Sequence, residues 1–299
     1  MNSKIMLLSI VLVAQLLLVG GIYFGDSRNE IESSTWLEFD TETIDGLKIS
    51  GPEGSVLLSR SDGDWMLEEL PADQSKVTSM LSKLEAMQAP WPVANSAESA
   101  QRFEVSESNY QREVRLLNGE EVLAKLYLGT SPGYQRVHAR RSSQDDIFSV
   151  ALSNFELPTA VDGWMDKGLL AIDSDLESIV LRITETGENH SLVNSEEGWL
   201  YNDGAADQST SATYAGRFKT LRVASVAEDS GEAVTVGVLD VKWVEGAKNL
   251  TILKLGEDYL VSDGSRKYGV ATYVAEQLLL NDVSLAAQVD AESTNAKPD

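Results

Sequence analysis

The chain is predicted to be an α+β protein of two tandem, duplicated domains, each a mainly antiparallel sheet with one main helix, placed after an N-terminal transmembrane helix. Three observations predict this. Leu47–Ser75 aligns without a gap on Leu181–Ser209 at a constant offset (199 − 65 = 134), with nine of 29 positions identical, including Trp65/Trp199 and the run Ala72-Asp73-Gln74-Ser75 against Ala206-Asp207-Gln208-Ser209. Such self-similarity marks an internal repeat. Each half runs strands, one helix, then further strands joined by tight turns, an order that gives antiparallel α+β layers rather than a doubly wound sheet. The chain also opens with a long apolar run, Ile5–Phe24.

That run holds no charge, and its twenty residues reach about 30 Å as a helix, the thickness of a bilayer core. Lys4 flanks it on one side, and Asp26, Arg28, Glu30 and Glu32 on the other. The positive-inside rule then leaves the N-terminus in the cytoplasm and exports the body. A cleaved signal peptide is the rival, but its apolar core is shorter and ends in an A-x-A-like site. Here the run is long and the nearest candidate is Val19-Gly20-Gly21. Residues 1–25 are read as a signal anchor and 26–35 as a tether.

The first domain is placed at 36–168. Gly46–Ser50 and Ser55–Ser61 read as strands around the turn Pro52-Glu53-Gly54, and Asp62-Gly63-Asp64 turns into a strand at Trp65. Asp73 suits the N-cap of a helix whose apolar face is Val77, Met80, Leu81, Leu84 and Met87, stopped by Pro90 and Pro92. Tyr110–Leu117 and Glu121–Leu128 flank the hairpin signal Asn118-Gly119. Strands at Tyr134–Arg141 and Asp146–Val150 follow, with a helical stretch over Ala151–Leu157.

The second domain, 169–284, repeats the plan. Strands are expected at Ser178–Glu185, Asn189–Asn194 and Trp199, then a helix capped by Asp207 with Tyr214, Phe218 and Leu221 inside. Val234–Val244, Asn249–Leu255, Tyr259–Ser262 and Lys267–Val270 read as strands and Ala271–Leu280 as a terminal helix. Leu126-Tyr127-Leu128-Gly129 matches Leu253-Lys254-Leu255-Gly256 at a smaller offset (253 − 126 = 127), so the first domain has the longer middle. Residues 285–299 read as a disordered tail.

The net charge is −23, and because 1–25 carry one lysine and no acid, the other 274 residues carry about −24. That field repels phosphate backbones and excludes nucleic-acid partners. The absence of cysteine excludes thiol nucleophiles, Cys-ligated zinc, iron–sulfur clusters and disulfides. Gly129-Thr130-Ser131-Pro132-Gly133 fits G-x-S-x-G, but a strand follows it where the nucleophile elbow needs a helix. Asp173, Asp175 and Glu177 alternate like the start of a calcium loop without its glycine or distal glutamate. The two histidines, His138 and His190, have no histidine nearby. No catalytic residue, cofactor or metal is therefore expected. Arg136, His138 and Arg140 alternate onto one strand face. They form the most basic feature of the body, to be read either as a solvated face or as a partner-docking patch.

Several motifs together resemble one bacterial family, the domain of unknown function family 4340. They are the anchor, the Trp65 strand, Pro71-Ala72-Asp73, the turn after Leu126-Tyr127-Leu128-Gly129, and Tyr134-Gln135-Arg136-Val137 leading to Ile147-Phe148-Ser149-Val150. Trp164-Met165-Asp166-Lys167 adds to them. The resemblance spans most of 36–280. It implies a single-pass envelope protein associated with ABC-type transport systems, and it carries no catalytic residues. The resulting expectation is a non-enzymatic accessory or scaffold, anchored in the bacterial inner membrane with a periplasmic body. Its partners would be the membrane, other envelope proteins and ABC transporter subunits. The alternative is a periplasmic ligand-binding protein using the interdomain cleft, and an envelope hydrolase stands third. The topology is checked on spheroplasts. Added protease should digest the body, and the mature N-terminus should be Met1 or Asn2. A soluble form starting near Ile22 would remove the anchor.

Overall fold

Leucine, isoleucine and valine at every second position build the sheets, because alternate side chains of a strand point to one face. The computed structural model describes residues 36–89, 91–227, 232–280 and 284–287, together with Gln15. Apart from Gln15, the expected anchor lies outside the described residues. No helix among the described residues is long and apolar enough to cross a membrane. Two compact units are present, the first ending at Thr159 and the second beginning at Ala160 and taking in Glu69–Gln74.

The first half contains β1 (Gly46–Gly51), β2 (Gly54–Ser61), β3 (Asp64–Leu67), β4 (Leu70–Pro71), α1 (Gln74–Glu85), β5 (Pro92–Ala94), α2 (Ala97–Arg102), β6 (Arg112–Asn118), β7 (Glu121–Leu128), β8 (Val137–Arg141) and β9 (Ile147–Val150). The second contains β10 (Leu176–Ile183), β11 (Asn189–Ser195), β12 (Gly198–Tyr201), β13 (Gly204–Ala205), α3 (Gln208–Lys219), β14 (Ser225–Val226), β15 (Val234–Trp243), β16 (Gly246–Leu255), β17 (Asp258–Ser262), β18 (Lys267–Val270) and α4 (Thr272–Leu278). The nine-stranded sheets have orders β4-β3-β2-β1-β6-β7-β8-β9-β5 and β13-β12-β11-β10-β15-β16-β17-β18-β14. Strand for strand these are one order, and the registered pairs are antiparallel throughout. Both halves are therefore mostly β, with few helices.

The registers refine the repeat. Arg60 faces Trp65 and Asn194 faces Trp199, so β2 and β3 match β11 and β12 at the offset read from the sequence (194 − 60 = 134). Leu47, however, faces Leu58, whereas Leu192 faces Ile179. Leu58 and Leu192 keep the offset (192 − 58 = 134), but Leu47 corresponds to Ile179 (179 − 47 = 132). The ungapped match of Leu47 to Leu181 is thus two residues out of step in the first strand. The extra pair lies in the β10–β11 connection, and a shift of two leaves the same face buried. The β6–β7 turn also moves by one residue, since Asn118 pairs with Glu121 and the turn is Gly119-Glu120, with Gly119 at φ +57°.

Both helices begin after the expected aspartates. Asp207 is the N-cap of α3, its carboxylate accepting from the Thr210 backbone N–H at 2.8 Å. Asp73 immediately precedes α1. Gln74 and Gln208 then make the same bond, each amide donating to the carbonyl two residues back, Ala72 at 2.9 Å and Ala206 at 3.1 Å. The closing segments also correspond. Ala72 bridges Met165, and Asp73 N–H donates to the Trp164 carbonyl. Ala206 bridges Ala286, and Asp207 N–H donates to the Leu285 carbonyl. Trp164 and Leu285 are both buried, so Leu285–Ala287 of the expected tail belong to the ordered body. Trp65 is buried, whereas Trp199 is half-buried.

The sheet faces generate a stability prediction. Leu58→Ala and Leu192→Ala, at fully buried positions, should each cost about 2–5 kcal/mol in denaturant unfolding. Leu57→Ala, on the opposite face and half exposed, should stay within about 0.5 kcal/mol. Equal losses at positions 57 and 58 would mean that the assigned faces are wrong.

Candidate functional site

Where the halves depart from one another, they depart in their connections. Seventeen residues separate β5 from β6 and hold α2, against seven between β14 and β15 (111 − 94 = 17; 233 − 226 = 7). Eight residues join β7 to β8, against the two of Gly256-Glu257 between β16 and β17 (136 − 128 = 8; 257 − 255 = 2). After β9 the chain makes a 3-10 turn, Asn154–Glu156, where the second half has the longer helix α4; a second such turn, Val161–Gly163, begins the second unit.

The extra segments of the first unit interlock. A Cβ on Gly129 would sit 2.0 Å from the Phe103 carbonyl oxygen, so only glycine lets the β7–β8 loop meet the backbone after α2. Thr130 N–H donates to that carbonyl at 2.9 Å. Asn154 Nδ2 donates to the Gly129 carbonyl at 2.9 Å and to Gln111 Oε1 at 2.6 Å, and Gln111 Nε2 donates to Glu104 at 2.5 Å. Behind them, Ala100, Val105, Tyr127 and Ile147 form a small core of their own, with Phe103 and Tyr110 packed on it.

These connections surround a pocket of about 610 Å³, within the range of small-ligand sites. Its wall comprises Pro52 and Glu53 of the β1–β2 turn, Gln111 and Arg112 at the start of β6, the loop from Ser131 to Val137, and Ser153–Phe155. Two aromatic side chains on it face solvent, Tyr134 at 88% and Phe155 at 95% exposure. The turn bearing Phe155 is held by a capping box between Ser153 and Glu156 and by the Lys83–Glu156 ion pair.

Of the three sequence-derived residues, only Arg136 lines this pocket. It is exposed, and its guanidinium donates to the hydroxyl of Ser149 at 2.8 Å and to the Ser149 carbonyl. His138 is buried, stacked on Phe103 at 4.1 Å between ring centres, with Nδ1 2.9 Å from Thr130 Oγ1. Arg140 is half-buried, donating to the carbonyls of Val105 at 2.8 Å and Gln144 at 3.1 Å and lying over the Tyr127 ring. Alternation does put His138 and Arg140 on one side of β8, but there they meet the α2 segment rather than solvent. Ser131 Oγ lies 2.7 Å from the carbonyl oxygens of both Gly133 and Arg136, so its proton is directed to the loop's own backbone. No group of three or more His, Asp or Glu among the described residues is placed to hold a metal.

The sequence places Tyr134 in a strand and Phe155 in a helical stretch, whereas β8 begins only at Val137 and Phe155 lies on a 3-10 turn; α2 is not among the expected elements. Ser96-Ala97-Glu98-Ser99 carried a cap signal for α2, and Ser153 followed by Glu156 fits a capping box. Nothing in a sequence marks an aromatic residue as exposed. A family model described as Domain of unknown function (DUF4340) matches residues 66–239. No curated protein and no solved structure matches the chain.

Burial holds the His138 imidazole below its ordinary value of 6.5, its bond to Thr130 opposes this, and Arg102 adds to the depression. The folded protein therefore keeps this ring neutral where the unfolded chain already takes a proton. Its contribution is complete above about pH 6.5 and is lost as pH falls below that value toward the folded one. The unfolding midpoint should fall between pH 7 and 5, and His138→Gln should fall less steeply over the same interval. Parallel curves for the two proteins would show that His138 titrates as in the unfolded chain.

Proposed function

We propose, from the premise that the chain belongs to the DUF4340 family, that it is a membrane-anchored extracytoplasmic accessory protein that docks a partner of an envelope transport system through the pocket of its first unit. The observation that carries this reading is the pair of exposed aromatic side chains on the pocket wall, Tyr134 on a loop that the duplicated half shortens to two residues and Phe155 on the 3-10 turn that stands where the duplicated half has α4. Large aromatic groups dominate interface energetics. The apolar run Ile5–Phe24 and the acidic body support attachment at the membrane with the body exported. The groups at the pocket are hydrogen-bond donors, an acid and aromatic surfaces. Its one serine of the G-x-S-x-G pattern is bound to backbone carbonyls, which favours binding over acyl transfer.

Co-purification from native membranes tests the reading. The full chain should retain envelope partners that Tyr134→Ser with Phe155→Ser loses, with the unfolding midpoint of the double variant unchanged. Recovery of the same partners by the variant, or recovery of the protein with a cytoplasmic body, would defeat it.

A further inference from the structure

The pocket's chemistry identifies the kind of partner. We infer that it takes a short segment of a partner protein in which a single carboxylate lies beside a large apolar side chain, an inference that rests on the docking reading above. Two cationic residues, Arg112 and Arg136, stand on the wall against one acid, Glu53. This is a local positive balance in a chain whose net charge is −23.

Both guanidiniums are fixed in place. Arg112 Nε donates to the Leu157 carbonyl at 3.0 Å and Nη1 to the Gln111 carbonyl at 2.7 Å. Arg136 is held by Ser149 through Nε and Nη2. A guanidinium has five N–H donors in a planar fork, so each arginine keeps donors for a ligand while its orientation is set by the protein. Held forks of this kind suit a carboxylate, which they can meet with two parallel bonds. The apolar half of the ligand is set by Tyr134 and Phe155. Phe155 stands on a turn closed by the bond from Ser153 N–H to Glu156 at 2.9 Å, so it is presented without further ordering of its backbone.

The long-range field narrows the choice. A polyanion such as an acidic glycan carries repeated charge out over a body of about −24, beyond the roughly 8–10 Å over which the two arginines act at physiological salt. A single carboxylate meets only the local balance. A neutral glycan could stack on the aromatic groups but would leave the arginine forks without a charged acceptor.

Panning a random-peptide display library on the purified full chain, with counter-selection on the Tyr134→Ser, Phe155→Ser variant, tests the inference. Enriched peptides should pair an acidic residue, or a free terminal carboxylate, with Phe, Tyr, Trp or Leu. For one such synthetic peptide, Arg136→Gln should weaken binding about tenfold, roughly 1.4 kcal/mol. Replacing the peptide's acid by its amide should cost the wild type about as much and the variant little more. Arg136→Lys, which keeps the charge and loses the fork, should fall between the two and serves if Arg136→Gln does not fold. Enrichment of peptides without an acid, binding unchanged by Arg136→Gln, or Phe155-dependent retention of an oligosaccharide in place of any peptide would each overturn it. If co-purification still depends on Tyr134 and Phe155 while the acid proves irrelevant, the docking reading stands and this inference falls.

Discussion

Antiparallel pairing with a two-residue side-chain period constrains everything else in this protein. A strand that gains one residue turns its whole apolar set to the other face. The strands of both halves therefore hold one order and one inward face, while their connections vary. The two-residue slip between β1 and β10 shows the constraint at work. Ile179 replaces Leu47 opposite the buried leucine of the next strand, and the core is preserved because the slip is even.

Variation confined to connections places the pocket where it is. The β7–β8 loop, the α2 segment and the turn after β9 all lie at ends of strands, free of the register. They are tied to each other and to the outer strands β7, β8 and β9. Gly129 admits the Phe103 carbonyl, Asn154 joins the Gly129 carbonyl to Gln111, and His138 stacks on Phe103. Backbone groups that a longer loop would otherwise leave without partners are satisfied within this cluster. The loop carrying Tyr134 is consequently anchored at its base, and its tip is presented to solvent.

Charge is handled locally against a strongly acidic background. Glu113 is buried, and burial pushes its carboxyl upward. Hydrogen bonds from Arg115 at 2.6 Å and Lys125 at 3.1 Å outweigh that and hold it below the ordinary range. Lys125 and Arg140 also lie over the ring of Tyr127, each at 5.0 Å. Most basic groups near the small core are thus committed to carbonyls, a carboxylate or a ring. Arg112 and Arg136 differ in standing on the pocket wall.

The sequence by itself determined the repeat, the longer strands and the two main helices. Identical residues at a fixed offset, alternation, turn residues and helix caps are all local along the chain. Asp207 capping α3 and the Asp62-Gly63 turn could be read from neighbours alone. It also showed that the first half has the longer middle. Tertiary structure alone decided what that extra length does. Whether Phe155 is core or surface, whether His138 faces solvent or Phe103, and why position 129 must be glycine depend on segments brought together from 103, 111, 129 and 154. Such contacts leave no periodic trace, because the loops that make them obey neither the helical nor the strand repeat.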